Sequence, residues 1–200
     1  ILNRERQVFV SQWFIFAALF WFPWIYSTAE LLLVTFPVRG AAQVAIWAYY
    51  DANLAGTWLS LVGLAAVFYF IPKLTGHDLH SRHLALLAFW MLILFSGWTG
   101  VPHSAPLPAW MPALSTVGTV FMLIPVMAVA LNIHRTVGGK WSSLAANPPL
   151  RFLAVGTLGF VFAWLIRIVC AGVDGKYPVG LTWLTAALSF FLYSSRQKRR

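Results

Sequence analysis

Residues 44–71 read VAIWAYYDANLAGTWLSLVGLAAVFYFI, and the single charge in that run is Asp51. Such a stretch is long enough to cross the roughly 30 Å hydrocarbon core of a bilayer as a helix. No water is available there to satisfy open backbone amides and carbonyls. The run must therefore be helical despite its aromatic and β-branched residues. Five further apolar runs flank it, at residues 8–36, 84–101, 111–134, 150–171 and 178–194. The chain is 60% hydrophobic and 10% charged, whereas about a quarter of the residues in a soluble domain are charged. A soluble core is excluded. The expected fold is all-α, a polytopic membrane helix bundle of about six transmembrane helices forming one transmembrane domain over residues 1–200.

The linkers orient that bundle. On the side of the N-terminus lie Arg4, Arg6, Lys73, Arg82, Arg135, Lys140, Arg151, Arg196, Lys198, Arg199 and Arg200; the other side carries Arg39 and Lys176. The positive-inside rule then places both termini in the cytoplasm of a cell (inner) membrane protein. The net charge of +9 follows from these membrane-flanking residues and implies no nucleic acid. The closing basic run reads as a stop-transfer anchor, and the polar start at residues 1–7, with no small-residue cleavage site, predicts no signal peptide. Trp24, Tyr26, Tyr49, Tyr50, Trp98, Trp110, Trp141 and Tyr177 cluster toward span ends, as interfacial aromatics do. One cysteine, Cys170, leaves no intrachain disulfide and no CxxCH site for a covalently attached haem.

Ionisable groups inside a membrane bundle are costly, so they mark function or pairing. His77, His80 and His83 share one polar loop with Asp78 and Arg82 and read as a solvated turn rather than a metal site. His134 ends a span, and His103 lies in a proline-rich outer turn with Pro102, Pro106 and Pro108. Arg167 sits inside a span. An arginine unpaired there costs about 2.5–3.5 kcal/mol on insertion scales, which predicts an intramembrane ion pair with Glu30, at similar depth, or with the deeper Asp51.

Several motifs taken together carry a resemblance. They are Ser11-Gln12-Trp13 through Pro23-Trp24, Pro37-Val38-Arg39-Gly40, the span holding Tyr49, Tyr50, Asn53 and Gly56, Phe70-Ile71-Pro72-Lys73, Leu107-Pro108-Ala109-Trp110, and Asn147-Pro148-Pro149-Leu150-Arg151-Phe152. In this order and spacing the chain resembles the middle of the catalytic subunit of the C-family (cbb-type) haem–copper cytochrome c oxidases, over roughly residues 10–168. The resemblance implies haem and copper in the family, cytochrome c oxidation coupled to oxygen reduction, and a respiratory complex with other subunits.

The same register predicts a dismantled copper site. The family's first copper-binding histidine falls at Ala52, its His-His pair at Pro102 and His103, and its redox tyrosine at Ser96. A glutamate facing the metal region falls at Arg167. Copper prefers several imidazoles in a fixed array, so His103 is a remnant at most, and the family's haem ligands lie on helices upstream and downstream of this stretch. No residue here is expected to be catalytic, and no cofactor is expected for the chain alone. The leading expectation is a membrane subunit resembling an oxidase catalytic subunit with its copper ligands largely lost. The alternative is a non-catalytic scaffold or assembly subunit of a respiratory complex. A transporter would need polar groups lining a path, and Glu30, Asp51, Asn53, Asn132 and Arg167 are too sparse to outline one.

Overall fold

The computed structural model describes residues 9–101, 103–138 and 147–169. Within them every regular element is helical. Four apolar helices are long enough to cross a membrane, Val10–Thr35, Ala41–Thr75, Trp110–Val137 and Pro148–Val169. Arg82–Trp98 is a shorter apolar helix. The apolar run 178–194, the basic tail, Lys176 and Pro102 lie outside the described residues.

Four of these rods change character along their length. The first is α1 (Val10–Ala29) continued by a π-helical stretch, Glu30–Thr35, whose wider winding is closed by the Phe36 amide donating to the Leu31 carbonyl at 2.8 Å. The second is α2 (Ala41–Asp51), a π-helical stretch at Ala52–Trp58, then α3 (Leu59–Thr75). Next comes α4 (Arg82–Phe95), which tightens into a 3₁₀ turn at Ser96–Trp98. The rod Trp110–Val137 is divided at Met122 into α5 (Trp110–Phe121) and α6 (Leu123–Val137). Pro125 explains that break, since it has no amide proton to give the carbonyl four residues back. The last described helix is α7 (Pro148–Val169), where proline at the first position forfeits no intrahelical bond.

Local chemistry fixes the turn between α3 and α4. Gly76 caps α3 at φ 68°, a left-handed conformation that glycine adopts without a Cβ clash. Ser81 caps α4, its hydroxyl accepting from the Leu84 amide at 3.3 Å. Asn132 of α6 then holds the loop from the side. Its Nδ2 donates to the Ser81 carbonyl at 2.8 Å and its Oδ1 accepts from the Ser81 amide at 3.0 Å, while the Thr136 hydroxyl accepts from the His80 amide.

The core lies between α1, α3, α4, α6 and α7, with Phe14, Leu61, Leu64, Ile71, Leu92, Val126, Val129 and Trp164 buried in it. Phe14 joins three helices, its ring 5.3 Å from that of Phe68 and 5.1 Å from that of Phe89. Large apolar side chains such as Phe16, Phe20, Trp47, Trp90 and Phe162 point outward. An apolar exterior over a partly polar interior suits lipid as the surrounding solvent.

Candidate functional site

The π-helical stretch after α2 brings polar side chains to the bundle interior. Asn53 and Thr57, four residues apart, face inward and are 1% and 0% exposed. The Asn53 amide uses all of its hydrogen-bonding capacity. Its Oδ1 accepts from the Trp21 indole at 2.9 Å and, over a longer 3.5 Å, from the Thr57 hydroxyl. Its Nδ2 donates to the carbonyls of Tyr49 at 2.9 Å and Gly97 at 3.3 Å. The Thr57 and Ser96 hydroxyl oxygens lie 2.6 Å apart, and the Thr99 hydroxyl donates to the Ser96 carbonyl at 2.8 Å. With Ser96 as donor to Thr57, Thr57 remains free to donate to Asn53, so one directional chain satisfies every group. Buried polar networks that are complete in this way rigidify their surroundings.

Two glycines permit the close approach. A Cβ at Gly56 would stand 3.5 Å from the Ser96 carbonyl and 3.9 Å from the Trp164 ring. A Cβ at Gly97 would stand 2.6 Å from Asn53 Oδ1, so the knot leaves no room for a side chain there. Trp164 closes one side, fully buried, and its indole nitrogen has no hydrogen-bond partner among the described residues; neither has the Ser60 hydroxyl one turn beyond Thr57.

Arg167, one turn after Trp164, is half-buried. Its guanidinium carbon stands 5.5 Å from the Trp164 ring centroid in a cation–π arrangement. The guanidinium also lies against Gly100, whose φ of 92° and missing Cβ leave it the space. Asp51, exposed at the end of α2, lies within electrostatic reach of Arg167. Glu30 is exposed on the π-helical end of the first rod.

Ala52 is buried at the head of the π-helical stretch, and Ser96 is buried at the 3₁₀ turn. His103 is exposed, with Nε2 3.4 Å from the Thr116 hydroxyl. The Thr116 hydroxyl also donates to the Pro112 carbonyl at 3.0 Å. His77, His80, His83 and His134 are exposed at the opposite end of α4 and α6. No three His, Cys, Asp or Glu side chains gather into a metal-sized group among the described residues.

Sequence reasoning names Asn53 and Ser96 but misses Trp21, Thr57 and Thr99 as their partners, and Trp164 packed against Gly56. One signal is available. Asn53 and Thr57 share a helix face, and polar groups on one face of a span call for partners on a neighbouring helix.

Residues 1–174 match the family model of cytochrome c and quinol oxidase polypeptide I. The chain is 27% identical over 161 residues to the cbb3-type cytochrome c oxidase subunit CcoN1 of Stutzerimonas stutzeri, covering 76% of this chain and 34% of that protein. It is 29% identical over 171 residues to a cytochrome c oxidase subunit 1 homolog, bacteroid, of Bradyrhizobium diazoefficiens, covering 78% and 30%. It is 26% identical over 169 residues to cytochrome c oxidase subunit 1 of Rhodobacter capsulatus, covering 79% and 31%. The chain thus spans about a third of the length of these curated relatives. All-helical architecture, membrane-length apolar helices and a family match over most of the sequence agree: this chain belongs to the cytochrome c and quinol oxidase polypeptide I family.

Proposed function

We propose that the chain is an integral membrane subunit of haem–copper oxidase type whose copper-ligand set is largely lost. The supporting observation is the 2.6 Å hydroxyl pair of Thr57 and Ser96, set in a saturated knot little more than one helical turn from Ala52. A methyl group at Ala52 does not replace an imidazole as a copper donor, and Ser96, bonded to Thr57, stands where the resemblance puts the redox tyrosine. His103, the remaining imidazole of that register, is exposed and engaged with Thr116. The donor set does not fit the metal, and no catalytic step is routed through it. No residue of this chain is assigned as a haem ligand.

Cytochrome c oxidation coupled to oxygen reduction is the activity that family membership brings to mind for a complete oxidase. The alternative, a scaffold or assembly subunit of a respiratory complex, is favoured by the knot itself, which ties the first rod, the π-helical stretch and the end of α4 together where the oxidases place chemistry. In either reading the partners are other respiratory subunits in the cell (inner) membrane, with both termini in the cytoplasm. Arg167, where the resemblance puts a carboxylate, opposes bound cations, and we take Asp51 rather than Glu30 as its intramembrane counter-charge.

A reduced-minus-oxidised spectrum of the purified protein with its co-purifying subunits separates the two readings. Haem absorbance stoichiometric with the chain supports an oxidase component. A featureless spectrum supports the scaffold.

A further inference from the structure

A cavity of about 600 Å³ opens at the end of the bundle where α1 begins, α3 ends and α4 starts. Its walls have two characters. Phe9, Val10, Phe68 and Pro72 supply an apolar side, and Phe9 and Tyr69 are exposed. Lys73, His77 and Arg82 supply a basic rim, with Asp78 the one acid among the described lining residues. Lys73 is held in place over the Tyr69 ring, its ammonium 5.2 Å from the centroid and 3.4 Å from the phenol oxygen.

We propose that this cavity binds the headgroup of an anionic phospholipid, with the phosphate at Lys73 and an acyl chain along the apolar wall. Basic pockets between transmembrane helices at the membrane surface recognise acidic headgroups. The occupant follows from the two walls together: free phosphate satisfies the rim but has no use for Phe9, Phe68 and Tyr69, whereas a zwitterionic lipid satisfies the wall but gains little from the excess of positive charge. The site lies at the far end of α3 from the Asn53 knot, so it is independent of the oxidase reading.

Native mass spectrometry of the purified chain titrated with dioleoylphosphatidylglycerol, dioleoylphosphatidylcholine or inorganic phosphate tests it. Phosphatidylglycerol is expected to stay bound in preference to phosphatidylcholine and to resist millimolar inorganic phosphate. Lys73→Gln is expected to weaken its binding about fivefold, the usual contribution of one basic residue near a membrane surface. Asp78→Asn is expected to strengthen it. Arg135→Gln, which removes an exposed charge at the same end of the bundle but outside the cavity, is expected to leave it unchanged. Equal retention of the two lipids, displacement by phosphate, or equal losses from Lys73→Gln and Arg135→Gln would each overturn the proposal.

Discussion

The Thr57 and Ser96 hydroxyl oxygens lie 2.6 Å apart, although 39 residues separate them in the sequence. That one contact joins the π-helical stretch of the second rod to the end of α4 inside an apolar bundle. Removing one partner strands the other without water to replace it, at a cost of about 1–3 kcal/mol.

Thr57→Val and Ser96→Ala are each expected to destabilise the protein by that amount in detergent. The double variant should cost clearly less than the two singles added together, because neither hydroxyl is then orphaned. Thermal unfolding of the four proteins checks this. Strict additivity would mean that the two groups do not interact.

Gly97 offers a packing test of the same knot. A Cβ there meets Asn53 Oδ1 at 2.6 Å, so Gly97→Ala should lower the melting temperature. Adding Asn53→Ala to the same chain opens the space and should recover part of the steric loss, although it forfeits the Trp21 bond. If Gly97→Ala is as costly in the Asn53→Ala background as in the native one, the clash lies elsewhere.

These contacts divide what the sequence reveals from what it conceals. The apolar runs identify the helical membrane bundle because each long apolar segment must satisfy its own backbone in lipid. Ser96 and Asn53 are within reach through family motifs. The π-helical winding at Glu30–Thr35 and Ala52–Trp58 is not, since a wider turn leaves hydropathy unchanged and depends on tertiary packing. The roles of Trp21 and Trp164 are hidden for a related reason. A membrane-chain tryptophan is most often an interfacial or packing residue, and only the fold shows that Trp21 donates to Asn53 while Trp164 carries the Arg167 guanidinium. Asn132 likewise looks like an isolated polar group until the Ser81 backbone is beside it.

Arg167 and Asp51 should be energetically coupled. Asp51→Asn and Arg167→Gln are expected to show a coupling of about 0.5–1 kcal/mol in a double-mutant cycle of detergent stability. Glu30→Gln and Arg167→Gln should combine additively. The reverse pattern would assign the counter-charge to Glu30.

Orientation can be read in whole cells. With Cys170 replaced by serine, a cysteine at Ser104 should react with an impermeant maleimide, and one at Ser81 should not, if the excess of basic residues at the Ser81 end faces the cytoplasm as proposed. Labelling at Ser81 alone would invert the bundle.

The proposed loss of copper binding at the family's ligand positions is tested most directly by elemental analysis of the protein purified from copper-replete cells. Copper far below one atom per chain is predicted, with no change on His103→Ala. Copper near one atom per chain, lost on His103→Ala, would contradict it.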